Sequence, residues 1–365
     1  MSQLIREVLL FLRSLCFWLP EETTMETIYF GTNRNPNTKN APTEYGKNFS
    51  EEGLASLRFG CATVAGDDFD DITIETETED LKKDEERKKK DGAGSELGSQ
   101  KVFAKVRQSM ADNNRDTIIF IHGYNVSFRD ALKAAAELQR SLNNPDAKVN
   151  VVLFSWPSDG SMMPYVAYAN DRQDAAASGP AFARSFLKLA DFLRNATKKE
   201  MCSQPLHLLA HSMGNYVLRH ALQEVVRQSP GRPPRLFDQV FLMAADEDDD
   251  AFEKDHKFKP LPRIAKRVNV YFNNGDLAMA VSDKTKGNPD RLGDDGPRLP
   301  RSIPGKVSLI DCTDCIDFNL EKLAQHSYYL NNETVRKDML FVLKGDLSKT
   351  ISGRDYDPET NRYRL

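Results

Sequence analysis

Cysteine is scarce in this chain. Its five cysteines among 365 residues, Cys16, Cys61, Cys202, Cys312 and Cys315, are odd in number and mostly far apart. That argues against a disulfide framework and for a reducing compartment. Cys312-Thr-Asp-Cys315 is a C-x-x-C, but no second pair accompanies it. It is a poor zinc site, and both residues read as ordinary buried thiols. Excess charge is missing too: 50 basic against 54 acidic residues leave −4, so no basic field points to nucleic acid. There is also no clean hydrophobic span. The apolar stretch Leu4 to Leu19 is broken by Arg6, Glu7 and Arg13, which excludes a convincing membrane helix. It lacks the basic start and small-residue cleavage site of a signal peptide. Amphipathic attachment of residues 1–24 to a membrane is one reading. The simpler and preferred reading is that translation starts at Met25, where ordered-looking sequence begins, in a cytoplasmic protein.

What is present fits one large α/β domain with additions. The chain is 40% hydrophobic, enough for a sizeable core, and has no internal repeat. Residues 1–25 form an N-terminal extension, 26–345 a single domain and 346–365 a C-terminal tail. Within the domain, residues 67–100 (ending TETEDLKKDEERKKKDGAGSELGSQ) are charged, mixed in sign and closed by Gly and Ser, the composition of a mobile insertion. Before it come strands near Glu26 and from Leu57 to Val64. After it strands alternate with helices: Thr117 to His122, helix Ser127 to Asn143, Val149 to Ser155, helix Ala181 to Asn195. Further strands are Phe237 to Ala244, Val268 to Phe272 and Val307 to Ile310, and a helix from Asn332 to Lys344 closes the domain. This alternation predicts a mostly parallel sheet covered on both faces, with the active site at the carboxyl ends of its strands.

The stretch LHLLAHSMGNYVLRHAL, Leu206 to Leu222, organises the rest. A buried strand, Leu206 to Ala210, turns through His211-Ser212-Met213-Gly214 and leaves as a helix with apolar residues at helical spacing. Small residues two places either side of Ser212, Ala210 and Gly214, make the nucleophile-elbow pattern G-x-S-x-G with Ala first. The sharp turn lifts a hydroxyl out of the sheet, and the following helix N-terminus favours negative charge beside it. Upstream, His122-Gly123-Tyr124-Asn125 follows a strand where an oxyanion loop belongs, making the Tyr124 and Met213 N–H groups the candidate oxyanion donors.

Of six histidines, five are poorly placed for a general base. His122 sits in the oxyanion loop, His207 in a buried strand, His211 beside the serine but pointing away, His220 down the helix, and His256 in a charged stretch. His326 follows the last strand and precedes the closing helix, where a loop can return over Ser212. The acid is Asp276, after the turn Asn273-Asn274-Gly275, or alternatively Asp246 in the run AADEDDD. Trp156 in FSWPSDG and Tyr165 are candidates for lining a substrate pocket, although packing is the commoner role of such a tryptophan and the favoured reading.

The segments YFGTNR, FIHGYNVSFRDA, FSWPSDG, AHSMGN, NNGDLAMAVSD, RLGDDGP and HSYYLNN run in one order from Tyr29 to Gly345. In that order they resemble the signature blocks of a bacterial family of α/β-hydrolases of uncharacterised activity. The resemblance implies an α/β-hydrolase sheet and a Ser212–Asp276–His326 triad, but no substrate. The expectation is a serine hydrolase cleaving a small-molecule carboxylic ester, with thioester or amide cleavage by the same triad as the alternative. It needs no metal and no organic cofactor. A binding protein that keeps the fold without turnover is the reading from another class.

Overall fold

A computed structural model describes residues 25–54, 56–66, 68–77, 97–144, 147–158, 164–197, 202–276, 290–316 and 325–365. Strands β1 (Glu26–Thr32), β4 (Arg58–Ala65), β5 (Asp71–Thr76), β6 (Asp116–Ile121) and β7 (Val149–Ser155) supply one half of the main sheet. Strands β8 (Leu206–His211), β9 (Phe237–Met243), β10 (Ala265–Phe272), β11 (Val307–Asp311), β12 (Asp355–Asp357) and β13 (Arg362–Arg364) supply the other. Their order is β12-β13-β11-β10-β9-β8-β6-β7-β1-β4-β5, and β2 (Arg34–Pro36) pairs with β3 (Tyr45–Phe49) in a small separate ribbon. All pairings from β13 through β11 to β1 are parallel; β12, β4 and β5 pair antiparallel at the two edges.

Helices cover both faces because the central strands are apolar on both. One core cluster joins α1 (Gly98–Asn113), α3 (Pro164–Arg194) and α4 (Gly214–Gln228) to the sheet through Phe103, Phe182, Phe186 and Val217. The other joins α2 (Phe128–Leu142) and α5 (Glu333–Leu343) through Leu132, Ala135, Val335 and Met339. Helix α2 starts where its sequence says it should: the Ser127 side chain accepts from the Asp130 N–H, satisfying one orphan donor of the first turn. Helices α3 and α4 cross closely because Gly179 has no side chain; a Cβ there would stand 2.5 Å from Cβ of His220.

Three expectations are revised. The charged stretch read as a 67–100 insertion contains ordered structure at both ends, strand β5 and the start of α1, while 78–96 and the extension 1–24 lie outside the described residues. Helix α1 carries Val102, Phe103, Val106 and Met110 on its buried side, a helical spacing obscured by the charges before it. Helix α3 begins at Pro164 rather than near Ala181, since its first half is rich in small and polar residues. The 346–365 tail is not a tail: β12 and β13 extend the sheet past β11.

That edge is anchored by an ion pair. Arg354 forks onto Asp338 of α5 with Nε–Oδ1 2.6 Å and Nη2–Oδ2 2.7 Å, both side chains almost fully buried. Asp338 also accepts from the Tyr271 hydroxyl at 2.5 Å. Truncating one partner of a buried pair strands the other charge, at a cost of roughly 3–5 kcal/mol. Arg354→Ala is therefore expected to lower the unfolding free energy read from urea denaturation by an amount of that order, whereas Arg364→Ala, half-exposed and paired only at the surface, should leave it within about 0.5 kcal/mol of wild type.

Candidate active site

The topology brings two loops together. Strand β8 lies against β6, yet the chain visits β7 on the other side of β6 in between. Crossovers that leave in opposite directions open a crevice at the carboxyl ends of β6 and β8. The loops after those strands are His122–Asn125 and the turn at Ser212.

Ser212 adopts a left-handed backbone, φ +51°, a conformation that costs a non-glycine residue on the order of 1–3 kcal/mol. The surroundings hold it there. Its N–H donates to Met243 O at 3.0 Å, and its carbonyl accepts from the Asp246 N–H at 3.2 Å. The fully buried Asn215 side chain donates from Nδ2 to Ala210 O and Ser212 O, each at 3.0 Å, strapping the strand side of the turn to its helix side. Gly214 permits the approach to β6: a Cβ there would lie 2.5 Å from Ile121 O and 2.6 Å from His122 O. Gly123 faces the serine: a Cβ there would stand 3.1 Å from Ser212 Cβ and 3.5 Å from its Oγ, so the loop comes this close to the buried serine with little room for a side chain.

His122 shapes the loop opposite. Its Nδ1 lies 2.8 Å from Gly123 O; a carbonyl only accepts, so Nδ1 carries the proton. Nε2 then accepts from the Trp156 N–H at 3.3 Å and lies 3.2 Å from Ser155 Oγ. Burial and the neighbouring Arg34 guanidinium push the imidazole down to about 3, so it is neutral at ordinary pH. Arg34 is itself buried and held by Ser155 Oγ at 2.9 Å and Val126 O at 2.7 Å; burial lowers it to about 9. Because a trans peptide sets C=O and N–H on opposite sides, fixing the Gly123 carbonyl against His122 turns the Tyr124 N–H away from that ring. Asp171 holds the next residue, accepting from the Asn125 N–H at 2.8 Å. Among the described residues neither the Tyr124 nor the Met213 N–H has a hydrogen-bond acceptor, though Met213 is fully buried. Buried N–H groups without partners are rare.

Asp276 and His326 meet across the site. His326 Nδ1 donates to Asp276 Oδ2 at 2.6 Å, with both residues buried. Burial pulls the imidazole pKa down, but the Asp276 charge and hydrogen bond, with the Asp246 charge behind them, leave it raised above the ordinary value of 6.5. Nε2 is buried and has no hydrogen-bond partner among the described residues. His211 braces this loop: its Nε2 donates to His326 O at 3.2 Å, and its ring lies 4.7 Å from that of His326 and 4.8 Å from that of Tyr329. The Tyr328 hydroxyl adds a second tie, donating to Tyr271 O at 2.8 Å and accepting from the Ala244 N–H at 3.0 Å.

The other candidates fall elsewhere. Asp246 makes no hydrogen bond to His326; it accepts from the Tyr168 hydroxyl at 2.7 Å and lies 3.5 Å from Arg291 Nε and 4.0 Å from Arg172 Nη1. Its acidic neighbours are bound up in the same way, Glu247 with Arg219 at 3.2 Å and Asp248 with Lys257 at 2.7 Å. Trp156 offers no surface to a ligand. It is fully buried, stacks on His122 at 5.3 Å and donates Nε1–H to His122 O at 2.9 Å, so its part is packing behind the loop. The Tyr165 side chain lies outside the described residues. An apolar cavity of about 470 Å³ among Phe103, Met110, Phe182, Phe186 and Phe237 touches none of these groups and opens toward the amino ends of the strands. Sequence reading did not single out Arg34, Asn215 or Asp171. Asn215 had a local signal, an Asn three residues after the elbow serine.

A methyl group at position 214 has nowhere to go but into backbone oxygens. Gly214→Ala is expected to cost about 1–3 kcal/mol of stability as an overpacked site, read as a shift in the denaturant midpoint. Asn215→Ala, which takes a side-chain donor from the carbonyls of Ala210 and Ser212, should cost a similar amount.

The sequence profile of a family described as "Alpha/beta hydrolase of unknown function" (DUF900) matches residues 98–342. An uncharacterised protein of Nostoc sp. (alr1448) is 32% identical over 134 residues, 31% of this chain and 32% of that protein, so the chain spans about a third of that relative's length. No solved structure matches the chain. With the profile covering more than half of the chain and a mostly parallel sheet carrying helices on both faces, the protein belongs to this family of α/β-hydrolases.

Proposed function

We propose that the chain is a serine hydrolase that cleaves a carboxylic ester. The observation that carries this reading is the buried His326–Asp276 pair, whose Nε2 has no hydrogen-bond partner among the described residues, on a loop braced by the residue beside a left-handed Ser212. In this reading Ser212 Oγ attacks the acyl carbon while His326 Nε2 takes its proton. The same nitrogen then hands that proton to the departing alkoxide, and the C–O bond breaks to leave an acyl-enzyme. Water enters, gives a proton to His326, and its oxygen attacks the acyl carbon; the acid leaves as the proton returns to Ser212. Asp276 keeps the Nδ1 proton in place and stabilises the imidazolium. The Tyr124 and Met213 N–H groups receive the oxyanion, each such donor being worth roughly 10²–10³ in rate. Thioester or amide cleavage uses the same groups and differs only in the leaving atom. A scaffold without turnover gives no reason to hold Ser212 in a strained backbone or to bury an unpartnered imidazole nitrogen.

Labelling by a fluorophosphonate tests the centre of this reading. Wild type is expected to label at neutral pH, and Ser212→Ala and His326→Ala to lose labelling; an unlabelled wild type overturns the assignment. Asp276→Asn should slow turnover of an acyl ester on the order of 10⁴-fold, and Asp246→Asn far less.

The pH profile follows in sign from the raised His326. The base form is depleted as pH falls through its pKa, so labelling should decline about tenfold per unit on the acid side. The break should lie above the ordinary imidazole value. A break displaced to lower pH would contradict the Asp276 partnership.

A further inference from the structure

Cys312 and Cys315 take no part in the chemistry above, yet they stand between the two loops that carry it. Cys312 caps a single 3₁₀ turn over Thr313–Cys315 at the end of β11. Both thiols are free; Cys312 is fully buried and Cys315 partly exposed. The Cys315 N–H closes the turn onto Cys312 O at 3.2 Å, and residues i and i+3 eclipse one another in such a turn, so the two side chains leave the backbone on the same side. The Cys312 S–H is directed at Ile310 O, 3.9 Å away; the neighbouring Cys312 side chain lowers the Cys315 thiol, while burial drives the Cys312 thiol far up. Cys315 Sγ also lies 3.2 Å from Cys312 O. A partly exposed thiol lowered by its neighbour, three residues from a buried second thiol in one tight turn, is the arrangement of an attacking and a resolving cysteine.

The turn is tied to both site loops. The Asn274 N–H, two residues before Asp276, donates to Thr313 Oγ1 at 3.0 Å. The Cys315 carbonyl accepts from Asn332 Nδ2 at 2.7 Å, and Asn332 is the N-cap of α5, shortly after His326.

We propose that Cys312 and Cys315 form a reversible intramolecular disulfide, a redox-modification site in the turn that braces the Asp276 and His326 loops. The oxidant is a low-molecular-weight disulfide, with oxidised glutathione as the probe. The Cys315 thiolate attacks one glutathione sulfur, the glutathione S–S bond breaks, and a glutathione thiolate leaves. Cys312 then releases its proton to solvent and its sulfur attacks Cys315 Sγ, expelling the second glutathione. Two protein thiols lose two electrons, and one glutathione disulfide becomes two thiols. A sulfur–sulfur bond of about 2.05 Å is far shorter than a thiol contact, so closure tightens the turn and shifts its anchors.

The test needs no substrate and is independent of the esterase reading. Full-length protein is equilibrated with excess oxidised glutathione under native conditions, alkylated and digested with trypsin. Both cysteines fall in the peptide 307–322, which should lose two hydrogens, resist alkylation, and recover both thiols after dithiothreitol. Cys312→Ser should instead hold a stable glutathione adduct at Cys315, and Cys315→Ser should leave Cys312 unmodified. Amide exchange at Asn274 and in the first turn of α5 should rise several-fold on oxidation. Two alkylatable thiols, or a persistent glutathione adduct in wild type, overturn the disulfide; unchanged exchange at both anchors overturns the bracing.

Discussion

The left-handed turn at Ser212 is the constraint on which the site depends. A non-glycine residue at φ +51° is unfavourable alone and persists only where its neighbours leave no alternative. Here the neighbours are specific. Met243 O and the Asp246 N–H hold the serine's own peptide groups, and Asn215 ties the two sides of the turn. Gly214 lets the helix start so close to β6 that the backbone oxygens of Ile121 and His122 form its wall. The turn at Ser212 and the His122–Asn125 loop are thus one packed unit, which is why β6 and β8 must be sheet neighbours although the chain visits β7 between them.

Two histidines in this unit sit in opposite electrostatic settings, and the difference sorts their work. His122 is buried beside the Arg34 guanidinium, which disfavours a second positive charge, and it stays neutral with one fixed tautomer. A neutral ring that donates to a carbonyl on one side and accepts from a backbone N–H on the other is a strut. His326 is equally buried but faces Asp276, so its cation is favoured rather than penalised. Burial alone would make both poor bases; the partner's sign decides which one can take a proton.

Much of this was legible in the sequence wherever a signal is local. Buried strands, the helix started by Ser127 and the small residues around Ser212 all show within short windows, whereas Asp276 and His326, 50 residues apart, are reached only through the chain order of a resembling family. The edge strands β12 and β13 are three residues each, too short for an alternation to register. Arg34 and Asp171 were invisible for another reason. Arg34 touches His122 across 88 residues of chain, and Asp171 reaches Asn125 across 46, distances over which only the folded sheet makes neighbours. Trp156 could be read either way, because an aromatic after a strand end fits a pocket or a packed wall; its indole N–H bonded to His122 O puts it in the wall, the commoner role.

The two carboxylates near His326 show why proximity alone does not identify an acid. Asp246 is a single residue type in the same neighbourhood, and its charge reaches the imidazole. Yet its oxygens face the Tyr168 hydroxyl and the guanidinium groups of Arg291 and Arg172. A carboxylate that must orient a ring has to sit on the Nδ1 proton, and Asp276 does. One that contributes only its field can be held elsewhere, because Coulomb attraction falls slowly with distance in a poorly solvated site while a hydrogen bond does not survive displacement. Asp246, fixed by two arginines, adds to the stability of an imidazolium without competing for its proton. The acidic run that follows it, paired with Arg219, Arg291 and Lys257, keeps that charge in place.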